Sequence, residues 1–333
     1  MSRVAIIGDG GWGTALSLVL HRNRHEVTVW GPFEEGVRAV SEARENKAFL
    51  PGVSLPPEIA WTSDLPRALT DSDVCVLAVP SRYFRGVMGK MAVHDLSRRR
   101  LLVSVTKGFD EQTHQRMTQV AGTLLRDRAV AALSGPSLAA EVARGIPTAV
   151  TVACGEASRA EALQKLFNTP AFRVYTSDDV IGVELGGALK NVMALAAGVC
   201  DGIGFGDNSK AALITRGLAE MARLGKALGA HPATFAGLSG MGDLVVTCTS
   251  KLSRNRGVGE RLGRGEKLPD ILKGMKQVAE GLWTCGTARA LAAERGVDVP
   301  IIDEVYAVVH EGKNPRQAFL DLMGREPRPE RDH

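Results

Sequence analysis

The chain has 333 residues, which is too long for one ordinary domain and suits two. Hydrophobic residues make up 44% and charged residues 23%, the balance of a globular protein rather than a disordered one. The 41 basic and 37 acidic residues are interleaved and leave a net charge of only +4, so the composition gives no support to a nucleic-acid partner. An anionic ligand would have to be bound by local charges.

The five cysteines are scattered, odd in number and never in a CxxC pair, and no HExxH motif occurs. Neither a disulfide framework nor a thiolate zinc site fits this spacing, and we expect reduced cysteines and no metal. The chain enters an apolar strand directly after Met1-Ser2-Arg3, which argues against a secretory signal. The apolar run Leu185–Cys200 is shorter than the ~20 residues of a membrane span and is interrupted by Lys190. We therefore predict a cytoplasmic protein with no membrane span.

In the first half of the chain, short apolar runs alternate with segments of helical periodicity. The runs are Val4–Gly8, Val27–Trp30, Val74–Pro80, Leu101–Val105, Ala129–Ser134, Ala149–Ala153 and Phe172–Tyr175. The helical segments include Gly13–Arg22, Glu34–Arg44, Gln112–Arg126 and Ala157–Asn168. This alternation predicts a Rossmann-type α/β domain, a mostly parallel sheet covered by helices on both sides. We interpret the Pro-rich stretch Phe49–Pro57 as an irregular connection or lid outside the core.

A glycine-rich turn follows the first run. Gly8, Gly10 and Gly13 match GxGxxG, with Gly11 and Trp12 between the last two glycines. In such a turn the glycines permit a tight bend, a close approach of the backbone to pyrophosphate, and packing of the helix on the strand. The N-terminus of that helix adds unpaired N–H groups and partial positive charge. With a strand before it and a helix after it, the turn predicts dinucleotide binding.

The end of the second strand leaves the cofactor preference open. An Asp or Glu there would indicate NAD, and an Arg would favour the 2′-phosphate of NADP. The chain has Gly31, Pro32 and Phe33 at this place, followed by Glu34 and Glu35. Neither signal is present in its usual form.

Asp9 is unusual inside a phosphate-binding turn, because a carboxylate should repel the phosphates. It would have to point away or cap the helix. We interpret it as an Asp that forms hydrogen bonds within its own loop.

After about Tyr175 the strand runs disappear and long segments rich in Ala, Leu and Gly follow. These segments predict an all-α second domain, and we divide the chain into residues 1–182 and residues 183–333. The predicted helices are Val180–Cys200, Ser209–Leu228, Ser253–Leu262, Leu268–Met275, Thr284–Gly296 and Ile301–Glu311.

Lys190 is the only charged residue between Leu185 and Cys200. A lysine on a largely buried helix must be paired or functional, since burial of an unpaired charge is costly. Burial also lowers the pKa of a lysine toward the range that suits proton transfer near neutral pH. The alternative is a lysine that extends from the helix edge into solvent. The neighbouring Asn191 adds a neutral hydrogen-bonding group.

Three further polar positions are candidates for ligand binding. Lys107 follows a strand, at the sheet edge where open α/β folds bind ligands, although a solvated loop lysine is the simpler alternative. Asp243 lies in a glycine turn at a helix start, where capping is the alternative role. The run Ser253-Arg254-Asn255-Arg256 forms a group of donors suited to phosphate or carboxylate, or else an exposed helix start with ordinary surface arginines.

Together these segments resemble the bacterial-type NAD(P)-dependent glycerol-3-phosphate dehydrogenases over roughly residues 4 to 325. One matching segment could arise by chance, whereas the ordered set is specific. The resemblance rests on Gly8–Gly13, Val79–Ser81, Thr106–Gly108, Ser134–Ser137, Ile181–Asn191, Asp201–Gly206, Leu213–Met221, Gly240–Thr249 and Ser253–Asn255.

The resemblance implies reversible reduction of dihydroxyacetone phosphate to sn-glycerol 3-phosphate with NAD(P)H, which feeds phospholipid synthesis, in a Rossmann domain plus a helical domain that form a homodimer. It implies that Lys190 is the proton donor or acceptor. The substrate contacts that it implies are Lys107, Gly135, Ser137, Lys190, Asn191, Asp243, Thr247, Ser253, Arg254 and Asn255. The cofactor contacts are Gly8, Gly10, Gly11, Trp12, Gly13, Pro32, Lys107, Ala139, Arg254, Val278 and Glu280.

Some positions depart from the family's pattern. Gly11 stands where a serine is common, Asp9 replaces a small residue, and Pro32 replaces a residue that is often polar or basic. These departures concern the cofactor and not Lys190. Two alternatives remain: a related two-domain dehydrogenase of 3-hydroxy acids, and a non-catalytic dinucleotide sensor. The group around Arg254 favours a phosphorylated substrate over the first, and the presence of Lys190 disfavours the second.

Overall fold

The computed structural model describes residues 1–94, 100–126, 129–275, 279–327 and 329–330. The chain divides into two compact units, Met1–Glu184 and Leu185–His333. The division falls within one long helix, Val180–Ile203. The domain limits at residues 182 and 183 stay a prediction.

The N-terminal unit contains an eight-stranded sheet in the order β3-β2-β1-β4-β5-β6-β7-β8. The strands are β1 Arg3–Ile7, β2 Glu26–Trp30, β3 Ala60–Thr62, β4 Val74–Leu77, β5 Leu101–Ser104, β6 Val130–Ser134, β7 Thr148–Ala153 and β8 Phe172–Ser177. All neighbours are parallel except β6 and β7, which are antiparallel, while β8 is parallel to β7. The predicted mostly parallel sheet is confirmed.

Alternate residues of the central strands enter two separate hydrophobic cores. In β1, Val4 and Ile6 belong to one core, and Ala5 and Ile7 to the other. This period of two arises because successive side chains of a strand point to opposite faces, and both faces are covered. The unit's helices are α1 Gly11–Arg22, α2 Glu34–Ala43, α3 Leu65–Leu69, α4 Ser81–Ala92, α5 Met117–Leu124, α6 Ala139–Ala143 and α7 Ala157–Phe167.

The stretch Phe49–Pro57 is irregular, as expected, but the prediction that it lies outside the core is wrong. Leu50 and Leu55 are only 3% and 2% exposed and pack in the same core as Val4. Prolines mark the absence of regular structure and do not mark exposure, because leucines between them can still be buried.

The described residues of the C-terminal unit form helices joined by short connections and no strand, which confirms the prediction of a helical region. Its helices are α8 Val180–Ile203, α9 Asp207–Ala227, α10 Pro232–Phe235, α11 Asp243–Thr249, α12 Arg254–Gly263, α13 Leu268–Lys273, α14 Gly281–Arg295, α15 Pro300–His310 and α16 Pro315–Met323. A single π turn, Leu238–Gly242, leads into α11.

Helices α8 and α12 touch along their backbones. A Cβ on Gly198 would lie 2.0 Å from the Arg256 carbonyl oxygen, and one on Gly259 would lie 2.0 Å from the Leu195 carbonyl oxygen. Only glycine permits this approach. The Arg256 guanidinium also lies 2.5 Å from the Asp201 carboxylate, so an ion pair joins the same two helices.

Helix α8 is long and apolar enough to cross a membrane by length and composition alone, yet 89% of its most apolar window is buried inside the protein. All five cysteines are free and buried. Burial raises the pKa of the Cys200 thiol to about 11 and that of the Cys248 thiol to about 12. Within the described residues, no group of three or more His, Cys, Asp or Glu side chains is arranged to hold a metal ion.

Candidate active-site residues

Two glycines of the GxGxxG turn are required by the fold itself. Gly8 has a φ of +125°, which other residues rarely adopt, and a Cβ there would lie 2.6 Å from the Ala78 carbonyl oxygen. A Cβ on Gly13 would lie 2.1 Å from the Gly8 carbonyl oxygen. These positions provide the tight bend and the close helix–strand packing that the motif predicts.

Gly10 is different, because a Cβ there would have open space, with no atom of the described residues within 4 Å apart from its own chain neighbours. Gly10 is the N-cap of α1, and no side chain caps this helix. The N–H groups of the first turn therefore have no side-chain acceptor from a cap. The neighbouring Trp12 has a buried indole N–H without a hydrogen-bond partner among the described residues. Open space above the backbone and available donors fit the pyrophosphate of a dinucleotide.

The loop before Phe49–Pro57 packs against this turn. The Asn46 side-chain amide donates to the Asp9 carbonyl oxygen and to the Thr14 hydroxyl, both at 2.8 Å. A Cβ on Gly11 would lie 2.6 Å from the Phe49 carbonyl oxygen. The loop backbone therefore explains why Gly11 stands where the resembled family often has serine.

The Asp9 carboxylate points toward the end of β2 and does not cap α1. Its Oδ2 would lie 2.3 Å from a Cβ built on Gly31. Burial raises the pKa of Asp9, and a hydrogen bond from its own backbone N–H partly offsets this. The hydrogen bond agrees with our interpretation of Asp9, but the direction of the side chain was not visible in the sequence.

Lys107, Gly135 and Ser137 come together at the carboxyl ends of β5 and β6. The Lys107 Nζ donates to the Gly135 carbonyl oxygen at 3.0 Å and lies 3.4 Å from the Ser137 Oγ. The Ser137 hydroxyl donates to the same carbonyl at 2.8 Å. Ala139 begins α6 directly afterwards. Lys107 is thus held in a defined position rather than solvated alone.

Lys190 is buried and paired. It is 6% exposed, and its Nζ donates to the Asp243 Oδ1 at 2.7 Å and to the Thr247 Oγ1 at 2.8 Å. Asp243 is 1% exposed and lies inside α11, whose N-cap is Gly242. Capping is therefore not its role. The carboxylate favours the charged form of the ammonium and fixes its position.

Asn191 and Asn255 form a second buried pair. The Asn255 side-chain amide donates to the Asn191 Oδ1 at 2.8 Å, and its own Oδ1 accepts from the Gly281 N–H at 2.9 Å. A Cβ on Gly281 would lie 2.5 Å from the Asn191 carbonyl oxygen. These contacts join α8, α12 and α14. Asn191, which takes part in them, is the residue directly after Lys190.

The remaining predicted residues lie around the start of α12. The Ser253 hydroxyl caps this helix by accepting from the Arg256 N–H at 3.3 Å. The Arg254 side chain reaches solvent, yet desolvation by the surrounding protein lowers the pKa of its guanidinium, and the charge of the half-buried Glu280 partly offsets this. Arg256 pairs with Asp201 and Glu260 instead, so the prediction that it belongs to a ligand-binding group is wrong. Pro32, in the N-terminal unit, is exposed. Val278 lies outside the described residues.

Glu184, to which no sequence pattern assigns a role, links the start of α8 to the start of α5. It accepts from the Arg116 guanidinium at 2.5 Å and from the Thr118 N–H at 2.9 Å. Arg116 and Thr118 lie far from Glu184 in sequence, so no local pattern could indicate these contacts. Only the resemblance drew attention to the segment Ile181–Asn191 that contains Glu184.

Comparison with known proteins finds one family along almost the whole chain. Residues 3–160 match the family model described as NAD-dependent glycerol-3-phosphate dehydrogenase N-terminus, and residues 179–320 match the C-terminus model of the same family. The chain is 50% identical over 332 residues to a glycerol-3-phosphate dehydrogenase (NAD(P)+) of Geobacter sulfurreducens, covering 99% of both chains.

Two solved structures are similar as well. The glycerol-3-phosphate dehydrogenase of Coxiella burnetii superposes with a TM-score of 0.94 at 37% identity, covering 97% of this chain and 99% of the other. The enzyme of the same name from Saccharomyces cerevisiae gives a TM-score of 0.80 at 26% identity, with 97% and 99% covered.

Proposed function

The chain belongs to the NAD-dependent glycerol-3-phosphate dehydrogenase family, and we propose that it catalyses the reversible reduction of dihydroxyacetone phosphate to sn-glycerol 3-phosphate with NAD(P)H. One observation carries this proposal: the buried Lys190, held by Asp243 and Thr247. A buried ammonium in a fixed position suits a reaction in which negative charge develops on a substrate oxygen.

Lys190 acts at the carbonyl oxygen of the substrate. The bound nicotinamide cofactor supplies or accepts the hydride. As the carbonyl is reduced, the Lys190 ammonium stabilises the developing oxyanion and donates a proton from Nζ; in oxidation the amine accepts that proton. Asp243 and Thr247 orient Nζ, so little reorganisation is needed during the reaction.

The start of α12 suits the substrate phosphate. The exposed Arg254 offers a planar fork of donors, and it lies in the first turn of a helix whose N-terminus carries partial positive charge. Asn255 and Asn191 form a buried pair that fixes α12 against α8. The contacts implied for Lys107, Gly135, Ser137 and Ser253 complete the proposed substrate set.

For the cofactor, the proposed residues are those of the glycine turn, together with the others that the resemblance implies. The turn fits pyrophosphate because Gly10 leaves open space and α1 lacks a side-chain cap. We further propose a cytoplasmic homodimer whose product supplies glycerophospholipid synthesis.

A single assay tests the reaction: the purified chain is mixed with dihydroxyacetone phosphate and either NADH or NADPH, and the loss of reduced cofactor is followed. We expect turnover and formation of glycerol 3-phosphate. Binding of cofactor without turnover would support the sensor, and turnover of a 3-hydroxy acid instead would support the related dehydrogenase. Either result would reject the proposal.

A further inference from the structure

We infer that Asp9 binds the adenosine ribose of the cofactor and gives this chain a preference for NADH over NADPH. The inference rests on the proposed function and adds to it the choice between the two cofactors. It concerns a position where a phosphate-binding turn rarely carries a negative charge.

The geometry places the Asp9 carboxylate where a ribose-binding acid is missing. In dinucleotide-binding folds, an Asp or Glu at the end of the second strand accepts hydrogen bonds from the ribose hydroxyls. Here β2 ends at Trp30, and the next residue, Gly31, has no side chain. The Asp9 Oδ2 lies 2.3 Å and its Cγ 2.6 Å from the position of a Cβ on Gly31. A carboxylate from the turn thus occupies the space of the first side-chain atom of the strand-end residue.

The glycine at position 31 follows from this arrangement. Its φ is outside the left-handed range, so the backbone conformation does not require glycine. A Cβ would instead require the Asp9 carboxylate to turn away, and it would approach the Val37 Cγ2 to 2.9 Å. The absence of a side chain at Gly31 therefore leaves the space in which the Asp9 carboxylate lies.

The backbone of Asp9 is held in place, and its carboxylate remains able to accept hydrogen bonds. The Asn46 amide fixes the Asp9 carbonyl group at 2.8 Å, and the backbone N–H of Asp9 donates to its own carboxylate. Burial raises the pKa of Asp9 because it disfavours the charged form, and hydroxyl donors from a ribose would offset this by hydrogen bonding to the carboxylate.

The 2′-phosphate of NADPH would be repelled by the Asp9 carboxylate. It would bring a second negative charge to a partly buried carboxylate, which is unfavourable at low local dielectric. The segment from Gly31 to Val37 contains Glu34 and Glu35 and no Lys or Arg, and the first cation after it, Arg38, is exposed on α2 beyond both glutamates. The same charge that attracts ribose hydroxyls therefore disfavours NADPH.

Equilibrium binding of NADH and NADPH, measured by calorimetry without substrate, tests the inference. The variants are Asp9→Asn, which keeps the shape, and Asp9→Ala, which removes the carboxyl group. The control is Glu26→Gln, which changes the same charge at the exposed opposite end of β2. Glu34→Gln tests the nearest competing acid.

We expect the unaltered chain to bind NADH more tightly. Both Asp9 variants should lower the ratio of NADPH to NADH dissociation constants by about tenfold or more, as for loss of a hydrogen bond to a charged group. The control should leave the ratio within about twofold, as for an exposed charge. An unchanged ratio, an equal loss of both affinities, or a larger shift in Glu34→Gln would overturn the inference.

Thermal melts of each variant show that binding changes do not come from unfolding, and Asp9→Asn serves if Asp9→Ala is unstable. Failure of the proposed function is a separate result: the unaltered chain would bind neither cofactor, or would bind both without reducing dihydroxyacetone phosphate. Binding and turnover with an unchanged preference would reject the inference alone.

Discussion

The two units prepare for their ligands in opposite ways. The N-terminal unit does so by leaving atoms out: Gly10 clears space above the start of α1, and no side chain caps that helix. The C-terminal unit does so by burying charge, with Lys190 and Asp243 almost fully enclosed. Open backbone suits any dinucleotide, whereas a buried ammonium suits one kind of reaction. The difference explains why the glycine turn predicts a cofactor and only the helical unit indicates the chemistry.

The strongest test of this comparison is Lys190→Ala. Turnover should fall about a thousandfold, because both charge stabilisation and proton transfer are lost. Cofactor binding should stay within about twofold, since the proposed pyrophosphate site consists of residues of the other unit. The exposed Lys226→Ala is the matched control. Retained turnover would remove Lys190 from the proton-transfer role.

The same substitution leaves Asp243 buried without its cation and should lower the free energy of unfolding. The double variant Lys190→Met/Asp243→Asn separates the two effects. We expect it to recover stability in chemical denaturation without recovering turnover.

A second buried ionisable group, Glu220, makes the stability of the C-terminal unit depend on pH. Burial raises its pKa from 4.5 to about 7, although it accepts hydrogen bonds from the backbone N–H groups of Ile301 and Ile302. Because the folded pKa exceeds the unfolded pKa, this contribution to stability is fully present below pH 4.5 and is lost as the pH rises through about 7. The loss is on the order of 3 kcal/mol. Denaturation at several pH values should show it, and Glu220→Gln should flatten this part of the profile; an equally steep profile in that variant would contradict the assignment.

Arg254→Ala should mainly weaken substrate binding. Loss of a guanidinium–phosphate contact of ~2 kcal/mol raises KM for dihydroxyacetone phosphate about 30-fold. Steady-state kinetics measures this, with the exposed Arg295→Ala as the control for charge. An unchanged KM would count against the phosphate assignment.

The smallest expected effects distinguish two reasons for a glycine in the turn: Gly10 leaves space for a ligand, and Gly13 permits close packing within the fold. Gly10→Ala should leave the melting temperature nearly unchanged, because its Cβ would enter space that is open among the described residues. It should weaken cofactor binding about tenfold, because that space is the proposed place of the pyrophosphate. Gly13→Ala should instead cost about 1–3 kcal/mol of stability, because its Cβ would overlap the Gly8 carbonyl. Equal behaviour of the two variants in melts and binding titrations would break the distinction.

Much of the N-terminal fold could be predicted because buried parallel strands are nearly continuous apolar runs. Seven of the eight strands were predicted. The edge strand β3 was missed, since it has three residues and only Thr62 is buried. The start of α5 was placed too early, because Asp110 accepts from the Arg85 guanidinium and from Thr113 and so holds an irregular loop. The reversed direction of β7 and β8 leaves no mark on composition.

The site was less accessible from pattern alone. The isolation of Lys190 in an apolar segment signalled a paired or functional charge, but Asp243 and Thr247 lie 53 and 57 residues away. From the sequence, only the resemblance indicated that Lys190, Asp243 and Thr247 belong to one site. The direction of Asp9 was not predictable, because it depends on the space beside Gly31, and that space is a property of two segments packed together.

The buried thiols can serve as probes of local unfolding. With pKa values near 11 and 12, Cys200 and Cys248 are almost entirely protonated at neutral pH, and a protonated, enclosed thiol does not react with alkylating reagents. Their modification must wait until the surrounding helices separate. Cys248 is adjacent in sequence to Thr247, so its labelling rate would time how often the neighbourhood of Lys190 opens to solvent.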